Sequence, residues 1–179
     1  MDDLVGEVSY FQLIILNAVG RLPVREFAKW LEASFICLSW PDSRIWCNQI
    51  GALGGAENAS VVAATVAGVL AADSTMYGSR PLLDGVEFIQ SALEKKGSQK
   101  LSAKEIVEQE IKKSRGKVNI VGYARPIASG DERVAAMERV TTQLGFEIGK
   151  HLQLAYEIND VLMKEHGESI NINGYVSAF

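Results

Sequence analysis

The stretch NASVVAATVAGVLAA, residues 58–72, decides the fold of this chain. Its alanines and its glycine are frequent enough that a helix here would carry a flat surface on which another helix can pack closely. Asn58 or Ser60 can cap this helix, and we expect it to run to about Met76. The apolar run from Val61 to Ala72 is shorter than the roughly 20 residues that cross a bilayer, so the pattern predicts a buried or interface helix and no membrane span.

The composition of the whole chain agrees with a helical protein. Of its 179 residues, 47% are hydrophobic but only 8% are aromatic, and small and aliphatic residues supply most of the apolar share. The length fits one compact domain or one lobe of something larger. We therefore predict an all-α fold.

The charge, the cysteines and the start of the chain argue against nucleic-acid binding, a metal site and secretion. The net charge of −4 is mixed along the chain, which argues against nucleic acid as a partner. The two cysteines and two histidines lack metal-ligand spacing, so no metal site is predicted. The acidic start shows no secretory signal, and the expectation is a cytoplasmic protein with reduced thiols.

Helical spacing also recurs in the rest of the chain. Further helices are predicted over residues 8–19, 23–38, 84–95, within 94–117, over 132–144 and from about 145 to 164. Ser102 with Glu105 forms a capping-box pattern, and Gly20 and Gly167 are typical helix stops. Residues 40–55 suggest a short connector, either irregular or helical.

Five motifs occur in an order that resembles the citrate synthase superfamily, and most closely its short members of the citryl-CoA lyase type. They are GRLP at 20–23, NAS at 58–60, SRPLLDG at 79–85, GYARP at 122–126 leading to DER at 131–133, and NING at 171–174. The resemblance covers roughly the whole chain, although each motif is imperfect. It implies the citrate synthase-like helical fold, with a large helical domain and a smaller helical insertion.

The resemblance also implies a domain layout. Residues 1–97 would form the first part of the large domain and residues 98–145 the small-domain-like insertion. Residues 146–179 would begin the returning helices of the large domain. Chains of this family usually continue well past the NING position, so we expect this last part to be truncated.

In the family, one histidine and one aspartate deprotonate the acyl thioester, while a second histidine donates a proton to the partner acid. The matching positions here hold Leu83, Asn173 and Arg125, or Ala124 in place of Arg125 if the loop is shifted by one residue. Leucine cannot exchange a proton, and asparagine keeps the shape of aspartate without its basicity. The substitutions therefore remove the standard enolisation chemistry.

Two arginines near these positions could still bind an acidic ligand. Arg125 could hold a carboxylate or stabilise an oxyanion, or it could be a solvated loop residue. Arg133 matches an arginine that contacts carboxylate or phosphate in the family, or it could form a helix-start ion pair with Asp131.

Two further polar groups are candidates for altered chemistry. Asp84 lies beside Leu83 and could take part in catalysis, although a helix cap is its more ordinary role. Arg44 could bind substrate, or it could stabilise a turn together with Asp42. Both alternatives stay open at the level of sequence.

These observations support two functions. The first is acyl-CoA-dependent formation or cleavage of a carbon–carbon bond at an atypical site, with an acyl-CoA and a carboxylic acid as ligands and no covalently held cofactor. The second is a non-catalytic pseudoenzyme that binds a metabolite or pairs with an active subunit. The helix from Asn58 predicts a closely packed helical interface, and because family members pair through several such helices, the resemblance implies a homodimer in both cases.

Overall fold

The computed structural model describes residues 4–39, 42–124 and 130–179, and in this part of the chain it contains nine α-helices and no strand. The all-α prediction is confirmed. The helices are α1 Tyr10–Val19, α2 Arg25–Leu38, α3 Trp46–Ala56, α4 Val61–Ala72, α5 Ser79–Ser98, α6 Ala103–Lys113, α7 Glu132–Gln143, α8 Lys150–His166 and α9 Ile172–Ala178. Within the described residues, no helix has the length and apolar character needed to cross a membrane.

The chain divides into two compact units. The first comprises residues 1–40 and 132–147, and there α1 and α7 both pack on α2. Trp30 of α2 is only 3% exposed, and its indole Nε1 donates to the hydroxyl of Thr141 on α7 at 2.8 Å. Two buried polar groups thus satisfy each other, which removes the cost of burying either one alone.

The layout predicted for residues 1–97, 98–145 and 146–179 stays a prediction.

The second unit, residues 41–131 and 148–179, is built around α8. This helix packs on α5, α6 and α9. Its fully buried side chains follow helical spacing, which places them on the faces turned toward those neighbours. They are Leu152, Leu154, Ala155, Ile158 and Leu162.

The helices α3 and α4 form a hairpin in the second unit and pack mainly on each other. The segment 40–55, for which the sequence left irregular and helical structure open, thus contributes the helix α3. A Cβ added to Gly54 would lie 3.1 Å from the Cβ of Ala64, and one added to Gly68 would lie 3.0 Å from the carbonyl oxygen of Cys47. The small residues of α4 therefore serve a contact within the chain.

The predicted helix ends are largely confirmed. Gly20 and Gly167 end α1 and α8 in the left-handed conformation, with φ of 72° and 71°. Ser102 and Glu105 form the capping box of α6. Hydrogen bonds from the backbone N–H and the hydroxyl of Ser102 lower the pKa of the Glu105 carboxyl.

The start of α5 differs from the prediction. The helix begins at Ser79 rather than Asp84, because Gly78 at φ 75° starts it and Pro81 in the first turn needs no helical N–H partner. Asp84 is therefore a residue within the helix, and its interpretation as a helix cap is wrong.

The tightest backbone crossing joins Gly122, in the loop before the undescribed residues 125–129, to Gly174 in α9. A Cβ added to Gly122 would lie 2.6 Å from the Cα of Gly174, and one added to Gly174 would collide with the carbonyl oxygen of Gly122. Gly122 also has φ 87°, which favours glycine. Only two glycines allow this loop and α9 to pack as they do.

Replacing Gly174 by alanine should lower the free energy of unfolding by about 1–3 kcal/mol or more, because the backbone at Gly122 must move to admit a methyl group. Gly97→Ala is the matched control, since nothing lies within 4 Å of a Cβ built at that helical position. The control should be neutral or stabilise by about 0.5–1 kcal/mol. Urea unfolding of both variants measures the difference in their stability. Equal unfolding midpoints would contradict the close backbone contact between Gly122 and Gly174.

Candidate functional site

Three segments that the family motifs singled out meet in the second unit: the loop 122–124 and the starts of α9 and α5. Two hydrogen bonds from Asn171 join the first two of these segments. Its backbone N–H donates to the carbonyl of Gly122 at 3.0 Å, and its Nδ2 donates to the carbonyl of Ala124 at 2.7 Å. The N–H of Ala124 in turn donates to the carbonyl of Ser169 at 2.8 Å.

Two side chains accept hydrogen bonds from the backbone N–H groups at the start of α9. The side chain of Asn171 accepts from the backbone N–H groups of Asn173 and Gly174, so that it caps the helix. The carboxylate of Asp131 accepts from the N–H of Ile172 at 2.9 Å. Three N–H groups that have no acceptor within the helix are thus hydrogen-bonded to side chains.

Asn173 connects α9 to α5. Its Nδ2 donates to the carbonyl oxygen of Pro81 at 2.9 Å. The hydroxyl of Ser177 donates to the carbonyl of Leu82 at 3.3 Å, one turn further along α9. A carboxylate in place of Asn173 would present a second acceptor to the Pro81 carbonyl, so asparagine is suited to this contact and aspartate is not.

Leu83 and Asp84 lie in the second turn of α5, next to these contacts. Leu83 is 57% exposed. The carboxylate of Asp84 forms an ion pair with Arg80 one turn earlier, at 2.8 Å. The structure therefore brings Leu83, Asp84 and Asn173 into one region, and of these three only Asp84 is titratable.

Three arginines were proposed as ligand-binding residues. Arg125 falls outside the described residues. Arg44, in the turn before α3, contacts both carboxylate oxygens of Asp42, at 3.0 and 2.7 Å, and the hydrogen bond to Asp42 raises the pKa of the arginine. Arg133 lies in α7 of the first unit.

Two residues that support this region were missed at the level of sequence. Asn171 is the first asparagine of NING, and its position just before an apolar segment was a usable helix-start signal. Tyr123 is buried, and its hydroxyl donates to the carbonyl of Ala155 at 2.9 Å. Burial raises the pKa of the Tyr123 phenol far above its ordinary value, so the group remains neutral and holds the loop against α8.

A concave and basic surface precedes the loop 122–124. It is open to solvent and is lined by Lys113, Ser114, Arg115, Lys117, Val118 and Asn119. Lys113 is paired with Glu110 at 2.6 Å. Asn119 is three residues from Gly122, so their Cα atoms are at most about 11 Å apart.

In the described part of the chain, no group of three or more His, Cys, Asp or Glu side chains is arranged to hold a metal ion.

Replacing Asn173 by aspartate should lower the free energy of unfolding by about 1–3 kcal/mol at neutral pH, because the Pro81 carbonyl loses its donor and faces a charge instead. The loss should shrink at acidic pH, where a protonated carboxyl can donate to the same oxygen. Chemical unfolding at several pH values measures this loss of stability. Asn119→Asp, at an exposed loop position, is the control and should change stability little.

By sequence alone, the chain matches no protein-family model and no curated protein. Its structure is similar to that of citryl-CoA lyase from Hydrogenobacter thermophilus, with a TM-score of 0.79 and 24% identity over 98% of this chain and 66% of that one. It is also similar to ATP citrate lyase from Methanothrix soehngenii in complex with citrate and coenzyme A, with a TM-score of 0.83 and 18% identity. A variant of the Methanosaeta concilii ATP citrate lyase in complex with (3S)-citryl-CoA gives a TM-score of 0.82 and 18% identity.

The match covers 99% of this chain but only 28% of either ATP citrate lyase chain. The chain therefore spans less than two thirds of the length of each of these structures. Taken with the all-α architecture and the meeting of the three motif segments, these similarities show that the chain has the citrate synthase-like fold.

Proposed function

We propose that this protein binds an acyl-CoA thioester and a carboxylic acid where α5, the loop 122–124 and α9 meet, without carrying out the standard enolisation. The observation that carries the proposal is the contact between Asn173 and Pro81. The position that would need a carboxylate base holds an amide, and the amide donates its proton to a structural partner.

The proposed ligands come from the solved structures with the same fold. The ATP citrate lyases bind citrate and coenzyme A in one case and (3S)-citryl-CoA in the other. The basic surface of residues 113–119 supports coenzyme A as a ligand here, because lysine and arginine are the side chains that bind phosphates.

Loss of catalysis follows from the side chains present. Leu83 cannot hold an enolate oxygen or move a proton, and Asn173 has no basic oxygen. Each general acid or base is typically worth about 10²–10⁴-fold in rate, so losing these roles removes most of the acceleration. The protein would then act as a pseudoenzyme that senses a metabolite or supports an active subunit.

A second candidate is bond formation or cleavage by an altered mechanism. It is favoured by Asp84, whose carboxylate lies beside Leu83 and could accept a proton if Arg80 moved away. Arg125 would stabilise the developing negative charge on the partner acid, and Arg133 or Arg44 would hold its carboxylates. If this candidate is correct, Asp84→Asn abolishes thioester release and leaves coenzyme A affinity unchanged.

The remaining predictions belong to the same proposal. The protein would act in the cytoplasm as a homodimer. Residues 98–145 would form the insertion between two parts of the large helical domain, and residues 146–179 the start of its returning helices.

Calorimetric titration with coenzyme A, acetyl-CoA and oxaloacetate, followed by an assay of thioester release in the same samples, tests the proposal. Binding without release is the expected result. Binding with release would favour the second candidate. If none of the three ligands binds, both functions are excluded.

The triple variant Lys113→Ala, Arg115→Ala, Lys117→Ala should bind coenzyme A at least tenfold more weakly than the unaltered protein, because charge-assisted contacts to phosphate are lost. The loss should be smaller at high salt, where such contacts are screened. Titration calorimetry measures both effects. The control removes three exposed lysines elsewhere, Lys29, Lys150 and Lys164, and changes the net charge equally; a similar loss in the control would mean that only net charge matters.

A further inference from the structure

The start of α9 contains an asparagine followed directly by a glycine, Asn173–Gly174. No other asparagine of the chain is followed by glycine. In such a pair the backbone nitrogen of the glycine can attack the side-chain carbonyl carbon of the asparagine, because the glycine has no side chain to hinder the approach. The pair is therefore the place in this sequence where an amide is most easily lost.

The reaction is a deamidation in two steps, and water is its only co-reactant. In the first step a bond forms between the Gly174 nitrogen and Cγ of Asn173, the nitrogen gives up its proton, and the bond from Cγ to Nδ2 breaks so that ammonia leaves. A cyclic imide remains. Water then opens this ring at either of its two carbonyl carbons. One opening gives aspartate, and the other gives isoaspartate, in which the main chain runs through the former side chain.

The folded structure holds both reacting groups away from each other. Ring closure requires a rotation about ψ of Asn173, but both residues lie in α9, where ψ is near −42°. The N–H of Gly174 donates to Oδ1 of Asn171 at 3.2 Å, and Nδ2 of Asn173 donates to the carbonyl of Pro81 at 2.9 Å. Gly174 is also buried. Deamidation therefore requires that α9 first leaves its place.

Both residues of the pair have structural roles that are unrelated to this reaction. Gly174 is required because its backbone lies against Gly122, where a Cβ would collide. Asn173 is required because its amide donates to Pro81, which an ionised carboxylate could not do. The two contacts that need these residues are the same contacts that keep them from reacting.

The helix α9 cannot remain helical once it leaves its neighbours. It has only seven residues, and isolated helices shorter than about 12–15 residues are marginal in water. Its contacts are with α5 and α8, and its buried side chains include Ile172, Tyr175 and Ala178. When these contacts open, the helix unwinds and the rotation at Asn173 becomes free.

Neither product fits back into the folded structure as the asparagine did. Aspartate at position 173 places a charge against the Pro81 carbonyl and loses the donor. Isoaspartate lengthens the main chain by a carbon atom just before Gly174, and the contact with Gly122 has no room for such a shift. A chain that has reacted therefore cannot restore the original contacts of α9.

We propose that Asn173–Gly174 is a deamidation site controlled by the docking of α9, and that its reaction is a one-way switch that releases α9 from α5 and from the loop 122–124. The switch converts a rare opening of the structure into a permanent chemical change. It acts at the place where the proposed function puts the ligand, but the reaction itself involves no ligand.

Mass spectrometry of the digested full-length protein, after incubation at a fixed, mildly alkaline pH, tests control by the fold. The peptide with Asn173 should gain the mass difference between NH₂ and OH, and the reaction should be at least about tenfold slower in the folded protein than in urea, because only the open form reacts. Asn48 and Asn119, which are followed by glutamine and isoleucine, are internal controls and should react far more slowly in urea. Equal rates in the folded and unfolded protein, or no reaction of Asn173 in urea, would overturn the proposal.

Two variants show whether the opening of α9 is local. Asn171→Ala removes the acceptor for the Gly174 N–H and should speed up the reaction of the folded protein at least about threefold, because α9 then opens more often. Thr141→Val is the control: it removes the partner of Trp30 in the first unit and should leave the rate unchanged. Equal acceleration in both variants would mean that only global unfolding exposes the pair. Circular dichroism verifies that both variants are folded, and the comparison of folded and unfolded unaltered protein does not depend on them.

Hydrogen exchange of the modified protein tests the release of α9. Ion-exchange chromatography separates this form, because it carries an additional negative charge. The backbone amides of residues 172–178 should exchange at least about tenfold faster than in the unmodified protein, whereas those of α2 in the first unit should not change. The same exchange of α9 in both forms would contradict the release.

Titration of coenzyme A into the unmodified protein separates this proposal from the proposed function. A protein that binds coenzyme A but does not deamidate at Asn173 would contradict only the switch. A protein that deamidates there but does not bind coenzyme A would contradict only the ligand.

Discussion

The close approach of Gly122 and Gly174 is the constraint on which the candidate site depends. Neither position has room for a side chain, so the loop and α9 cross with their backbones in contact. This brings Asn171 within hydrogen-bonding distance of Gly122 and Ala124, and it places Asn173 opposite Pro81. The starts of two helices are thereby fixed relative to each other by backbone contacts rather than by long, flexible side chains.

The same geometry shows what Asn173 contributes to the fold. Asn173 donates to the Pro81 carbonyl, which an ionised carboxylate could not do, so an amide at this position stabilises the junction between α5 and α9. Leu83 lies on the exposed side of α5, where its side chain neither fills a core nor accepts a proton. A basic surface lies a few residues before the loop 122–124.

The helix α4 uses its small residues for a contact within the chain. Its glycine and alanines allow α3 to approach closely, while its valines form the opposite side. Two helices can approach this closely only where the residues between them are small.

Local patterns in the sequence determined the all-α class, most helix ends and the order of the motif segments. Capping residues and helix-stopping glycines act on their own neighbours, so they can be recognised without a structure, as Ser102, Gly20 and Gly167 show. The tertiary structure decided what local patterns do not contain. It showed that α5 starts at Ser79, that Asn173 is bound to Pro81, and that the small side of α4 faces α3. The physical reason is that these features depend on contacts between residues far apart in the chain, such as the 92 positions that separate Pro81 from Asn173.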